Sequence, residues 1–365
     1  MSRGYLPFID WMKAVGMILI LYGHLAGWAP LVTLAPVYSK QFGVALFLFA
    51  SGYSLARDVR PPWQIAFNRL FEMYLFGLAC ALIVAIVGLA IAGRPQLSNF
   101  LPFAAGVNVL FNNFPANPTT WYLGTYTHII VLWALVARRI RVSPPVVAGA
   151  FVVEIVVRAV LIRTAGDFIA YMALTNWPTV FLLGVFYGQD AEFQGTLRPP
   201  SRGRSVPPAA VTLVLAVFVA LWSQLPRLID FTPTFPFMHD RLGTPFVAAL
   251  IASSLASTVY ACVTWLVFQA VRAVSAPAPI RFVARNTLII FLAHMPLFYV
   301  MQPFVSGWGT SALFHSAVYL ACCLVGLGLL SEAIRRAVRP NALRDRLWAR
   351  LSWRLLEQPF QSSTT

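Results

Sequence analysis

Charged side chains are scarce in this chain. Asp, Glu, Lys and Arg make up 11% of its 365 residues, whereas soluble domains carry about 25%. Apolar residues make up 59% and the mean hydropathy is +0.73. Apolar runs of about 20 residues, the length that crosses a bilayer, follow one another along the chain. The scarcity of charge therefore excludes a soluble globular domain and predicts an all-α, polytopic protein in a lipid bilayer.

Acidic residues are scarcer than basic ones, with 12 Asp and Glu against 27 Lys and Arg. In a soluble protein, the resulting net charge of +15 would suggest nucleic-acid binding. Here the basic residues lie in short loops between apolar runs. Membrane topology therefore explains them, and we expect no nucleic-acid partner.

Cysteine is also scarce, and the spacing of the four residues does not match the C-x-x-C pattern of a zinc or redox site. All four fall in apolar stretches, where we interpret them as packing residues, and we predict no metal: Cys80, Cys262, Cys322 and Cys323. No Gly-x-Ser-x-Gly turn surrounds Ser51, so Ser51–Gly52 indicates helix packing rather than a nucleophile. The first apolar run opens with Asp and Lys and lacks a small-residue cleavage site, so we interpret it as a retained helix rather than a signal peptide.

Ten apolar segments are predicted to be membrane spans. They are predicted at residues 10–31, 42–57, 65–92, 119–137, 145–163, 168–189, 207–225, 244–271, 281–303 and 311–334. The second is short and contains Ser51–Gly52, so a tilted or broken helix is an alternative there. The two longer connections, 94–118 and 226–243, are expected either to cover a cavity or to be ordinary loops.

The basic residues alternate between the two sides of these spans. Twenty of the 27 Lys and Arg residues fall on the side of the termini, including seven arginines from Arg335 to Arg354. Because cytoplasmic loops accumulate Lys and Arg, both termini are predicted to be cytoplasmic. Residues 1–339 form one predicted membrane domain. In the basic tail, 340–365, alternating Arg and Leu or Trp predict an amphipathic helix on the anionic inner leaflet.

The first span carries three ionisable side chains, Asp10, Lys13 and His24. An ionisable group facing lipid costs a few kcal/mol or more, so these residues are expected to face a protein interior or a watery cavity. Eleven positions separate Lys13 from His24. The two side chains therefore project within roughly 20° of each other and about 16 Å apart along the helix. One face is predicted to carry a cation near the cytoplasm and an imidazole deeper in the membrane.

Five short motifs follow one another along the chain. They occupy residues 9–13 with Tyr-Gly-His at 22–24, the aromatic run before Ser-Gly at 46–53, Phe-Asn-Arg-Leu at 67–70, Trp-Tyr-Leu at 121–123, and the helix with His-Met-Pro at 286–296. Together they resemble the acyltransferase 3 family of integral membrane acyltransferases, over the whole chain. Two positions depart from that family: Lys13 stands where many members have arginine, and Glu72 replaces the second cation of an Arg-x-x-Arg pattern.

The resemblance implies transfer of an acyl group, usually acetyl from acetyl-CoA on the cytoplasmic side, to a hydroxyl of a carbohydrate or other envelope-related acceptor. It also implies a bacterial inner-membrane location, with acyl-CoA as the donor substrate. A hydroxyl must lose its proton as it attacks a thioester, and an imidazole suits that general-base role. On this hypothesis His24 is the base, and Lys13 either binds CoA phosphate or pairs with Asp10.

Each catalytic candidate also has a structural alternative. His24 is either the base or a buried histidine that links helices, and Asp10 is either catalytic or part of an ion pair or helix cap. His294 is assigned to acceptor binding or proton transfer, with a structural hydrogen bond as the alternative. Glu154 and Arg158 are spaced as a neutralising pair within one span.

The candidate ligand-binding residues have alternatives as well. Arg69, Arg285 and Asn286 are assigned to the donor phosphates, although snorkelling to the interface accounts for the arginines too. Glu72 lies three positions after Arg69 and is predicted to pair with it. Trp121 and Tyr122 are assigned to stacking on a sugar acceptor, with an interfacial aromatic belt as the alternative.

Three other functions stay open at this point. A proton-coupled secondary transporter also places acids, Lys and His in many spans, although paired broken helices are not evident in the two halves. The other large family of membrane-bound O-acyltransferases uses a histidine in an apolar setting but does not account for the first-span motif. A non-catalytic relative of the acyltransferases is the third. Soluble-type glycerolipid acyltransferases are disfavoured, because no Asp follows His24 at their His-x4-Asp spacing.

Overall fold

The computed structural model describes residues 5–25, 39–93, 97–193, 245–306 and 312–355, with three helical pairs between residues 209 and 217. All regular structure in these residues is helical. Six helices are long and apolar enough to cross a membrane: Pro62–Leu89, Pro118–Arg139, Pro144–Thr164, Phe246–Val271, Ala278–Gln302 and Phe314–Val338. The prediction of an all-α fold is confirmed, whereas the count of ten spans and the orientation of the termini stay predictions.

Thirteen helices are labelled here in chain order within the described residues. The first seven are α1 Pro7–His24, α2 Ser39–Ala56, α3 Pro62–Ala92, α4 Phe100–Ala104, α5 Trp121–Leu135, α6 Pro144–Thr164 and α7 Asp167–Met172. The others are α8 Pro178–Phe193, α9 Phe246–Val271, α10 Ala278–Ser306, α11 Ala312–Ala321, α12 Gly328–Val338 and α13 Pro340–Leu355. A π-helical turn, Cys322–Leu327, joins α11 to α12 without a break.

Proline and glycine set several of these helix ends. Proline stands in the first turn of α1, α3 and α6, where its missing N–H removes no helical hydrogen bond. Helix α3 ends at Gly93, whose φ of 68° lies in the left-handed region that favours glycine. Helix α13 begins at Pro340, directly after Arg339, whose φ of 47° ends α12; the division into a membrane domain and a tail stays a prediction.

The predicted spans fall on these helices, except that one is divided and one lies mostly outside the described residues. Helix α2 is continuous through Ser51–Gly52 and is not broken. The span predicted at 168–189 is divided into α7 and α8 by a turn that leads into Pro178. Most of the span at 207–225, and the connection at 226–243, lie outside the described residues.

Helices α1, α2 and α8 approach one another closely at glycines. A Cβ on Gly43 of α2 would lie 2.4 Å from the carbonyl oxygen of Gly16 in α1. A Cβ on Gly52 would lie 2.2 Å from the carbonyl oxygen of Phe181 in α8. Small residues at such crossings let helix backbones pack against each other. The packing interpretation of Ser51–Gly52 is therefore confirmed for the glycine.

Gly52→Ala is expected to destabilise the fold, because the added Cβ meets backbone that cannot move without separating α2 from α8. Overpacking of this kind costs about 1–3 kcal/mol. The measurement is the thermal unfolding midpoint in detergent. Gly149→Ala is the matched control, since a Cβ at Gly149 meets nothing within 4 Å. Equal midpoints for the two variants would contradict the close approach of α2 and α8.

A buried ion pair fixes the turn between α7 and α8. Arg158 donates to Glu154 at 2.7 Å, to Ser257 at 2.7 Å and to Asn176 in the turn at 3.0 Å. The other carboxylate oxygen of Glu154 accepts from the backbone N–H of Thr179 at 3.3 Å. Both charged side chains are fully buried. The predicted neutralising pair is confirmed, and it ties α6 to α9 and to the start of α8.

Candidate active site

The two candidate histidines, distant in sequence, meet in the structure. His24 ends α1 and His294 lies in the middle of α10. Nδ1 of His24 lies 3.3 Å from Nε2 of His294, and the ring centroids are 4.9 Å apart. His294 is fully buried and His24 is half-buried. The contact forms a histidine pair, His24 with His294, between α1 and α10.

Backbone carbonyls fix which ring nitrogens carry protons. The carbonyl oxygen of Ile20 lies 2.8 Å from Nδ1 of His24, and that of Phe291 lies 2.6 Å from Nδ1 of His294. Because a carbonyl only accepts, each neutral ring donates from Nδ1. Nε2 of His294 is then an acceptor for the Nδ1–H of His24. This arrangement leaves Nε2 of His24 unprotonated, which is the form that a general base requires.

A second anchor holds α10 beside this pair. Pro296 cannot donate to the carbonyl of Leu292 one turn earlier, and the side-chain amide of Asn117 donates to that oxygen instead, at 2.7 Å. The hydroxyl of Tyr319 donates to the carbonyl of His294 at 3.1 Å. Asn117 was not predicted from the sequence, although Pro296 signals a free carbonyl that needs a donor.

A cavity of about 720 Å³ runs along α1. Tyr5 and Asp10 line it near the start of the helix, and Ile20 lines its inner end together with Phe291. The carbonyls of these last two residues are the ones that hold the imidazoles. The cavity therefore reaches the residues that orient the histidine pair, whereas His24 and His294 themselves are not among the described lining residues.

Cations dominate the end of the cavity away from the histidines. The lining residues in the described part of the chain include seven bases, Lys13, Arg60, Arg69, Arg281, Arg285, Arg335 and Arg344. They include two acids, Asp10 and Glu72. Four charged residues of the predicted site, Asp10, Lys13, Arg69 and Arg285, are thus brought into one cavity. Its charge suits a ligand that carries phosphate groups.

Ion pairs decide between several alternatives that the sequence left open. Glu72 does not pair with Arg69, as its spacing suggested. It pairs with Arg335 instead, with 2.6 Å between Oε1 and Nη2. Arg285 pairs with Glu332 at 2.8 Å. Within the described residues, neither Lys13 nor Arg69 has a salt-bridge partner, although Lys13 lies in electrostatic range of Arg69. Asp10 and Glu72 also lie in electrostatic range of Lys13, but neither Lys13 nor Arg69 is held in an ion pair that a ligand would have to break.

Asp10 faces a tyrosine at the cavity edge. The Tyr5 hydroxyl donates to its Oδ2 at 2.5 Å. Desolvation, that hydrogen bond and the charge of Asp10 raise the pKa of the Tyr5 hydroxyl, which therefore stays a neutral donor. Asp10 does not cap α1, since no side chain caps that helix. This carboxylate is far along α1 from His24, so the geometry favours a positioning role over direct proton transfer.

The predicted aromatic residues take different positions. Tyr122 lines the cavity, with its ring centroid 5.2 Å from that of Phe291 and a stacked contact with Tyr126. Trp121 is not among the lining residues described, and its ring lies 5.4 Å from that of Tyr171. Of the two, Tyr122 is the one that lines the cavity, and it contacts Phe291, whose ring centroid lies 5.7 Å from that of His294.

Asn286 lies behind the cavity wall. Its buried amide donates to the carbonyl of Phe282 at 2.9 Å and to Glu332 at 3.2 Å. Glu332 in turn holds Arg285. Asn286 thus supports a lining cation instead of facing the cavity itself. Within the described residues, no group of three or more His, Cys, Asp or Glu is placed to hold a metal ion.

Comparison with known proteins gives one match. The family model of the acyltransferase domain Acyl_transf_3 matches residues 6–332. No curated protein and no solved structure matches the chain. The matched region includes the histidine pair and most of the cavity lining, whereas Arg335 and Arg344 lie beyond its end.

Proposed function

The chain belongs to the acyltransferase 3 family, and from this premise we propose that it transfers an acyl group, acetyl in the first instance, from cytoplasmic acyl-CoA to a hydroxyl of a carbohydrate or other envelope-related acceptor. The membrane is the bacterial inner membrane. The observation that carries the proposal is the position of His24, with an unprotonated Nε2, one helical turn beyond Ile20, which lines the cationic cavity.

The cavity has the chemistry of a CoA site. Its volume of about 720 Å³ falls in the range of small-molecule pockets. Basic side chains at one end suit the phosphates of CoA. Apolar and aromatic residues, among them Val44, Phe47 and Leu288, line the rest and suit the pantetheine arm. The separation of Lys13 and His24, about 16 Å along α1, is comparable to the length of an extended pantetheine arm.

The histidine pair supplies the proton transfer. As the acceptor oxygen attacks the thioester carbonyl, Nε2 of His24 takes the hydroxyl proton. The C–S bond then breaks, and the imidazolium returns that proton to the CoA thiolate. During the reaction, the Nδ1–H of His24 donates to Ile20 and His294 and stabilises the transient positive charge. His294 is therefore a positioning residue for the base.

Mass spectrometry of envelope glycans tests this function in cells. Cells with the gene are expected to carry O-acyl groups that are lost when the gene is deleted and restored when it is returned. Identical glycans in all three strains would contradict an envelope acceptor. Proton-driven uptake of a solute into proteoliposomes, without acyl transfer, would instead favour a transporter.

Lys13→Gln is expected to raise the KM for acetyl-CoA about tenfold or more, because a hydrogen bond to a charged group contributes about 1.5–3 kcal/mol. The kcat should change little, since Lys13 lies far along α1 from the reacting atoms. Lys13→Arg is the control and should keep a low KM, as it preserves the charge. Full affinity of Lys13→Gln for acetyl-CoA, measured by calorimetry, would exclude a phosphate contact.

A further inference from the structure

Two cations of the cavity come from outside the matched acyltransferase domain. The match ends at residue 332, yet Arg335 of α12 and Arg344 of α13 line the cavity beside Lys13 and Arg69. The end of α12 and helix α13 thus add two positive charges to the five that the matched domain supplies.

Arg335 pairs with Glu72, the acid that lies three positions after Arg69 in α3. Its Nη2 lies 2.6 Å from Oε1 of Glu72, and both side chains are largely buried. The Nε of Arg335 is buried and has no hydrogen-bond partner in the described residues. A buried donor without a partner costs about 1–3 kcal/mol. A phosphate oxygen in the cavity would remove that cost, with Glu72 holding the guanidinium in place.

Arg344 lies on a helix that is docked on the bundle. The ring of Trp348 in α13 lies 5.2 Å from that of Phe67 in α3. Asp345 lies in electrostatic range of Arg60, another cavity cation. The same carboxylate accepts from Nε of Arg344 at 3.0 Å. The basic tail predicted to lie on lipid therefore also packs on α3 and presents one arginine to the cavity.

We propose that Arg335 and Arg344 bind the phosphate groups of the CoA donor, so that residues beyond the matched domain, at the end of α12 and in α13, form part of the donor site. Arg335, which lies in electrostatic range of Lys13, binds the diphosphate. Arg344, which Asp345 links to the more exposed Arg60, binds the 3′-phosphate of the adenosine. This inference rests on the proposed use of acyl-CoA.

Two donors separate the roles of these arginines: acetyl-CoA and acetyl-dephospho-CoA, which lacks the 3′-phosphate. Arg344→Gln should raise the KM for acetyl-CoA about tenfold and leave the KM for the dephospho donor unchanged. Arg335→Gln should raise the KM for both donors. In each case the kcat should stay within about twofold, because neither residue touches the reacting atoms.

Matched controls come from the same helices. Arg336 and Arg346 are exposed and are not among the described lining residues, so Arg336→Gln and Arg346→Gln should behave as wild type. The inference is overturned if Arg344→Gln matches Arg346→Gln, or if it weakens both donors equally.

A double variant tests whether loss of the ion pair with Glu72 could by itself explain the effect of Arg335→Gln. The double variant Glu72→Gln/Arg335→Gln leaves no unpaired acid, and its KM for both donors should stay raised. A wild-type KM in this double variant would show that the unpaired carboxylate of Glu72, and not loss of a phosphate contact, raises the KM of Arg335→Gln. If the folded wild type transfers nothing from acetyl-CoA, the proposed function fails. If it transfers normally and both arginine variants keep the wild-type KM, this inference alone fails.

Discussion

His24→Asn lowers the kcat for acyl transfer by about 10²–10⁴-fold, the usual contribution of a general base, with little change in the KM for acetyl-CoA. Asparagine is chosen because its side-chain NH2 stands near the position of Nδ1 and can still donate to the carbonyl of Ile20. The helix contact is thereby kept while the base is lost. The measurement is transfer of labelled acetyl by the purified protein.

This substitution separates the catalytic role of His24 from the structural one. If His24 only links α1 to α10, His24→Asn keeps most of its activity and His24→Ala loses thermal stability together with activity. His128→Ala is the control, since His128 lies in α5 and is hydrogen-bonded to the backbone of Gly106 rather than to the histidine pair. It should transfer acetyl at the wild-type rate.

His294→Ala is expected to lower kcat by about ten- to a hundredfold, the second largest effect. The substitution removes the acceptor 3.3 Å from Nδ1 of His24, so the ring loses both orientation and stabilisation of its protonated form. Mutation of a residue that orients a catalytic or metal-bound imidazole has costs of this order. The expected change lies in kcat, not in the KM for acetyl-CoA.

Rescue tests whether His294 acts through His24. His294→Gln offers an amide oxygen near the former position of Nε2, and it should recover part of the lost kcat. A purely structural His294 predicts equal thermal destabilisation and no such recovery. If His294→Ala raises the KM for the acceptor and leaves kcat intact, then His294 binds the acceptor instead of positioning the base.

The apolar runs predicted most of the helices, because spans must satisfy their backbone hydrogen bonds internally. The division between α7 and α8 was not predicted. An apolar run looks continuous, and the turn is held by Glu154 and Arg158, which contact it across the fold. Helical periodicity predicted one face for Lys13 and His24; Lys13 lines the cavity, whereas His24 lies one turn beyond Ile20, which lines it.

Contacts between residues far apart in the sequence could not be predicted from local sequence patterns. The sequence named both His24 and His294 but contained no signal that their rings meet. Glu72 was expected to pair with Arg69, its neighbour on the same helix. The guanidinium of Arg335, brought from α12, takes that place. Asn286 was expected at the donor, yet its amide supports Glu332 from behind the cavity.

The central claim is that this cavity delivers an acyl-CoA thioester to His24. The most direct test incubates purified wild-type and His24→Asn proteins with acetyl-labelled CoA and isolated envelope glycans. Label on the glycan and released CoA are then measured together. We predict that the wild type forms both in equal amounts and that His24→Asn forms them at least about a hundredfold more slowly. Equal rates of glycan labelling by the two proteins would contradict the account.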